Sequence, residues 1–281
     1  MVNDMPELRC TLSTGLWAVL QDRSQRTRQP IAHIVSKALA DYFDVVHHTL
    51  YQVSTATALV EGVYQGAVRV GTLREHGDHG LGTFEELDGE MVIVDGHCFQ
   101  ARCNGAVQEV GDDALTPFAA ITRFTPEPAI VLDQCTDISG LTSRFDTLRR
   151  SDNLFFSLRV DGRFSYVHAR AMCPTEEGVP LVRAAAVQPE FEFMDIEGTL
   201  VGFWSPEYAK ALNVPGYHLH FISADRTRGG HLLQFRGSNL RLQIQREGDY
   251  HLALPETEDF LNAELRRDPA GDLAQAEGEK K

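Results

Sequence analysis

The chain has 281 residues, 43% hydrophobic and 23% charged, a globular balance that excludes a disordered or fibrous polymer and allows one large domain or two intimate halves. Against 26 basic residues stand 40 acidic ones, and the resulting formal charge of −14 opposes nucleic-acid phosphates, for which no basic patch is visible. No apolar run approaches the roughly 20 residues that span a bilayer, and the mixed opening Met1 to Arg9 lacks the basic-then-apolar order of a secretory signal, so a cytoplasmic location without a membrane or nucleic-acid partner is expected.

Along the chain, Glu7–Ser13 alternates polar and apolar residues and is expected as a short strand, followed by helices over Thr14–Arg23 and Ile31–Phe43. In the second helix Ile31, Ile34, Val35, Ala38, Leu39 and Tyr42 fall at helical spacing. This order resembles a ribbon-helix-helix module, a dimeric fold that presents a strand pair to DNA. Up to Val46, however, Arg9, Arg23, Arg26, Arg28 and Lys37 are balanced by Asp4, Glu7, Asp22, Asp41 and Asp44, so residues 1–48 are read as an appended dimerisation arm.

From about Tyr51 the texture changes to short β-like runs punctuated by glycine. Val68–Leu73, Met91–Val94, Phe155–Val160, Arg163–Ala171, Tyr217–Ile222, His231–Phe235 and Leu240–Gln245 read as strands. Asp88-Gly89 and Asp161-Gly162 read as tight hairpin turns, and Leu141–Arg149 and Ser205–Leu212 as helices. The expected fold class is α+β: a strand-rich body of mixed and antiparallel sheets over residues 49–281, in two intimate halves of about 49–150 and 151–281, with a small helical N-terminal extension.

Five cysteines, Cys10, Cys98, Cys103, Cys135 and Cys173, are odd in number and show no Cys-x-x-Cys spacing, which argues against a disulfide framework and a thiolate zinc cluster. The histidines are more informative. Residues i and i+2 of a strand share a face, so His218 and His220 point one way while Leu219 and Phe221 point the other. If the chain folds back through Ala224 to Gly230, His231 joins them. Three neutral imidazoles on a rigid sheet form a catalytic zinc set with an open position, although iron, manganese or nickel take similar ligands. His76, His79, His97, His168 and His251 have no such spacing and are read as surface or core histidines.

Several blocks then occur in the order seen in the alpha-acetolactate decarboxylases, which the chain resembles over nearly everything after Tyr51. They are Gly80-Leu81-Gly82-Thr83, Leu87-Asp88-Gly89-Glu90-Met91, Thr116-Pro117-Phe118-Ala119, Ala169-Arg170, Glu190-Phe191-Glu192-Phe193 and Gly198-Thr199-Leu200-Val201-Gly202-Phe203. The longest, Asn213-Val214-Pro215-Gly216-Tyr217-His218-Leu219-His220-Phe221-Ile222, leads to Gly229-Gly230-His231. The resemblance implies zinc held by His218, His220 and His231, a site lined by Glu90, Arg170 and a late glutamate matched by Glu277, and decarboxylation of 2-acetolactate to acetoin through a metal-stabilised enediolate.

Pattern alone would leave Glu90 solvated after a turn, Arg170 facing outward on a strand and Glu277 in a frayed tail; only the resemblance promotes them. Arg170 would orient the substrate carboxylate through its planar fork, and Glu90, Glu277 or Arg170 would manage the proton. Thr83 offers a hydroxyl donor. The expected partners are an anionic small molecule and a second copy of the chain. Two other readings stay open: a cupin-like iron oxygenase with Asp225 completing a facial triad, and a non-catalytic metabolite sensor with a DNA-binding arm.

Overall fold

The computed structural model describes residues 9–27, 29–43, 48–133, 137–149 and 151–278. The chain divides into two compact units, Met1–His47 and His48–Lys281.

In the first unit Ser13 opens helix α1 (Thr14–Thr27), its hydroxyl accepting the Leu16 N–H at 3.3 Å, and α2 (Ile31–Tyr42) follows. Both helices were legible from spacing, and α1 runs on past the expected Arg23. The ribbon strand is not formed: Arg9–Ser13 has no regular structure, while Glu7 and Leu8 lie outside the described residues. A ribbon strand satisfies its backbone only against a partner strand, which a single copy does not supply.

The second unit begins with β1 (Thr49–Val53) and α3 (Ala56–Val60), the latter capped by Thr55, whose hydroxyl accepts the Ala58 N–H at 3.1 Å. Next come β2 (Val68–Arg69) and α4 (Val70–His76), so the strand expected over Val68–Leu73 is mostly helix. Val70 and Leu73, one helical turn apart, are fully buried, whereas Arg69, Thr72 and Glu75 face solvent.

β3 (His79–Thr83) and β4 (Glu90–Val94) pair antiparallel, and Asp88-Gly89 ends a longer connection between them rather than making a tight turn. The tight turn falls one strand later, at Asp95-Gly96 between β4 and β5 (His97–Ala101). There φ values of 53° and 79° and the Val94–His97 pairing match a type I′ hairpin. β6 (Val107–Glu109), β7 (Leu115–Thr116) and β8 (Ala119–Thr122) complete this half.

The remainder comprises β9 (Ile130–Leu132), α5 (Ile138–Leu148), β10 (Phe155–Arg170), α6 (Leu181–Ala186), β11 (Glu190–Ser205), β12 (Gly216–Ser223), β13 (Gly229–Gly237), β14 (Leu240–Glu247), β15 (Asp249–Ala253), α7 (Glu258–Asn262) and α8 (Ala270–Glu277). The hairpin expected at Asp161-Gly162 is absent. β10 passes straight through it, paired with β11 from Phe156–Trp204 to Arg170–Glu190. On its other edge β10 changes partner at this point, from β14 to β13. Gly162, at φ +156°, makes room for Leu240, whose Cδ2 would lie 2.6 Å from a Cβ there. The helix expected over Ser205–Leu212 is also absent. Ser205 ends β11, because Pro206 holds the preceding residue extended, and only a single 3₁₀ turn follows at Glu207–Ala209.

The strands form a seven-stranded sheet, β15-β1-β8-β3-β4-β5-β6, and a six-stranded sheet, β11-β12-β13-β10-β14-β9, in which β10 and β11 also pair directly. Inside the second sheet Phe164 meets Phe221 and Phe235 edge-on, with centroids 5.7 and 5.6 Å apart. Between the sheets, Leu50, Leu81 and Ala120 pack on Phe155 and Phe203, and Val92 and Val94 on Val201 and Ile222. This packing sets β3 and β4 against β12 and β13. The fold is therefore α+β, as expected, and among the described residues no helix is long and apolar enough to cross a membrane.

Candidate metal centre

His218 and His220 share a face of β12, and β13 returns antiparallel with His231 directly opposite His220. The ring centroids are 5.0, 5.1 and 5.4 Å apart, and one nitrogen from each ring lies within 4.8 Å of the others. The Met91 carbonyl can only accept, so at 2.8 Å it fixes the proton of His220 on Nδ1 and leaves the buried Nε2 with its lone pair and no hydrogen-bond partner. Burial, reinforced by the Arg170 charge, pushes His218 down to about 3, and burial with the Arg170 charge and the neighbouring imidazoles holds His220 and His231 well below the usual histidine range. All three are therefore neutral, the form that binds a metal, and their converging nitrogens, of which His220 Nε2 has no hydrogen-bond partner, fit a divalent ion such as zinc.

Glu90 opens β4, and its Oε1 accepts the Met172 N–H at 2.9 Å while Oε2 lies 3.6 Å from His220 Nε2. Burial pushes its carboxyl up to about 8 against the Met172 N–H, with the Glu277 charge adding to the rise and Arg170 opposing it. Because the imidazole is neutral, this approach is no ion pair. Thr83 spends its hydroxyl proton on the Gly89 carbonyl at 2.8 Å, and the Thr116 hydroxyl donates to the Thr83 carbonyl at 2.7 Å. The two threonines thus brace the backbone that carries Glu90.

Arg170 ends β10 opposite His231 and is only 3% exposed. Its Nη1 donates to the Gly278 carbonyl at 3.0 Å and its Nη2 to that of Ala276. Glu277 ends α8 with its Oε2 3.5 Å from His231 Nε2 and 3.8 Å from His218 Nε2. Burial in the pocket raises its carboxyl, and Arg170 opposes the rise. The tail is docked as far as Gly278, since Leu273 and Ala276 pack in an apolar cluster with Ala56, Val60, Leu181, Ala185 and Val214.

The resulting pocket has a polar side of Thr83, Glu90, Arg170, Glu277 and the three histidines, and an apolar side that includes Leu59, Phe118, Met172, Leu181 and Val214. The seven residues named for a decarboxylase site, Thr83, Glu90, Arg170, His218, His220, His231 and Glu277, therefore line one pocket. Sequence reading missed the backbone groups of Met91 and Met172, which no side-chain pattern reveals, and the wall supplied by α3 and α6, whose only local signals are the Thr55 cap and an alanine run.

Asp225 is not with them. It sits in the turn between β12 and β13, its Oδ1 accepting from the Ser223 hydroxyl at 2.6 Å and from the Thr227 N–H at 3.1 Å, so it completes no facial triad. The other histidines fall as expected: His79 is buried core, His97 pairs with Glu109 at 2.7 Å, His168 with Glu190 at 2.9 Å, and His76 stacks on Tyr51.

An alpha-acetolactate decarboxylase family model matches residues 50–267. The alpha-acetolactate decarboxylase of Methanosarcina mazei is 41% identical over 86% of this chain and 85% of its own, and that of Bacillus licheniformis 38% identical over 82% and 91%. The crystal structure of the Bacillus subtilis enzyme superposes with a TM-score of 0.80 at 37% identity, covering 82% of this chain and all of that one. With a family model matched over residues 50–267, relatives 38 to 41% identical over more than four fifths of the chain and the fold of a solved member, the chain belongs to the alpha-acetolactate decarboxylase family.

Proposed function

We propose that the chain is a zinc-dependent carboxy-lyase that converts 2-acetolactate to acetoin and carbon dioxide. The observation that carries this reading is the set of three buried, neutral imidazoles converging beside Glu90, Arg170 and Glu277 in a member of this family. His218, His220 and His231 would hold the zinc, which when bound would supply a Lewis acid for negative charge developing on the substrate.

The remaining work falls to the chain. Arg170 places a buried positive charge beside the pocket, offsetting an anionic substrate in a protein of net charge −14. Glu90 holds a proton at neutral pH on the oxygen that faces His220, since its other oxygen accepts the Met172 N–H, and it is positioned with Glu277 to deliver or receive that proton. Leu59, Leu181 and Val214 receive the methyl groups and exclude water.

The test is acetoin formation from racemic acetolactate by protein stripped with a chelator and then reloaded with zinc. Stripped protein should be inactive and zinc should restore turnover; activity without any divalent metal would overturn the reading. The same proposal includes a homodimer in the cytoplasm. Free thiols at Cys10, Cys98, Cys103 and Cys173 suit a reducing compartment, and sedimentation of the purified chain tests the dimer.

A further inference from the structure

α8 has only eight residues, and Pro269 gives it no side-chain cap, so by itself it is too short to persist as a helix. Two anchors hold it. One is apolar: Leu273 and Ala276 are 2% and 4% exposed. The other is Arg170, which donates to the carbonyls of Ala276 and Gly278, the residues immediately before and after Glu277. These carbonyls lie at the end of a helix, where oxygens lack intrahelical donors and where a cation is favoured by the helix dipole.

Arg170 is itself fixed in the sheet, paired with Glu190 on one side and with His231 on the other. One guanidinium therefore joins β10, the strand beside the one that carries His231, to the backbone on both sides of the carboxylate that faces that histidine.

We propose that Arg170 is a positioning residue for Glu277, clamping the C-terminal segment so that its carboxylate is held over the three histidines. The two amino nitrogens of the fork each serve the tail, so the bonds that orient the carboxylate come from backbone recognition and not from charge alone. The kinetic part of this inference rests on the decarboxylase reading; the structural part does not.

The experiment uses the full chain, zinc-loaded and metal-free, with Arg170→Met, Arg170→Lys, Leu273→Ala, Glu277→Gln and the double variant Arg170→Met with Glu277→Gln. Hydrogen exchange of the amides from Leu273 to Gly278, together with carboxypeptidase trimming followed by mass, reads the tail. Arg170→Met should expose the tail in both metal states and Arg170→Lys, whose single nitrogen cannot reproduce the two spaced nitrogens of the fork, should do so in part. Each of Arg170→Met and Glu277→Gln should lower kcat by roughly 10- to 100-fold; Arg170→Met, which also removes the charge facing the anionic substrate, should raise KM as well, while in kcat the double variant should be no worse than about threefold below Glu277→Gln.

Leu273→Ala, which leaves Arg170 in place, should release the tail and lower kcat by the same route, and with Arg170→Lys it decides the matter if Arg170→Met does not fold. A tail as protected in Arg170→Met as in the parent would overturn the proposal. So would multiplicative kcat losses in the double variant, or a released tail with unchanged kcat in Leu273→Ala. If the parent itself forms no acetoin, the decarboxylase reading has failed, and tail protection alone still decides the clamp.

Discussion

Replacing Glu247 by glutamine should make stability less sensitive to pH. Glu247 ends β14, is 2% exposed, and among the described residues is reached by neutral donors alone: the Ser157 hydroxyl and Gln245 Nε2, the latter at 2.9 Å, on Oε1, and the Thr122 hydroxyl at 3.2 Å on Oε2. These bonds tie β8 of one sheet to β10 and β14 of the other. Burial pushes the carboxyl from 4.5 up to about 7 against the three donors. The folded chain thus keeps a proton that the unfolded chain has released. The stabilisation is fully present below 4.5 and is lost as pH rises through about 7. The gap between 4.5 and about 7, at roughly 1.4 kcal/mol per pH unit, comes to about 3 kcal/mol. Urea unfolding of the parent and of Glu247→Gln at several values between about pH 4.5 and pH 8 measures the difference directly. That difference should move in favour of the variant by about 3 kcal/mol across the range, or roughly 6 to 12 °C in melting temperature. A difference that stays flat would show that Glu247 is ionised throughout and would refute the desolvation argument.

Removing any one of His218, His220 or His231 by substitution with alanine should abolish stoichiometric zinc and with it turnover, because each supplies one of the converging nitrogens; metal analysis showing full occupancy in all three variants would dismiss the ligand set. Gly202→Ala should cost about 3 kcal/mol or more and weaken zinc binding, since a Cβ at Gly202 would run into the His218 carbonyl and lie 2.9 Å from Leu219 Cα, both backbone atoms of β12; an unchanged melting temperature would count against it. Thr83→Val should lower turnover roughly tenfold while Thr83→Ser stays near the parent, because the hydroxyl bond to Gly89 is what braces Glu90; equal activity in both would leave Thr83 a spectator.

The three-histidine cluster was legible because it is local. Strand periodicity alone places His218 and His220 on one face, and a single reversal through Ala224 to Gly230 brings His231 opposite His220. The N-terminal helices were legible for the same reason, as was the α+β texture of the body. Arg170, Glu90 and Glu277 could be named only by resemblance, since nothing in their neighbouring residues says that they are buried together. Glu90 is enclosed because β4 packs against β12, and Glu277 because α8 finds an apolar seat among residues from α3 and α6.

Where local rules failed, a remote partner outweighed them. Asp161-Gly162 has the composition of a turn, yet β11 offers β10 an unbroken line of backbone partners, so the strand continues. Val68–Leu73 has β-branched residues at strand spacing, yet Val70 and Leu73 are both buried when the segment coils. The sequence by itself determined which residues could share a strand face and ligate a metal, because that depends on backbone period. Only the tertiary structure decided which charges lose their water and which carbonyls claim the Arg170 fork, because desolvation and hydrogen-bond partners are set by segments far apart in the chain.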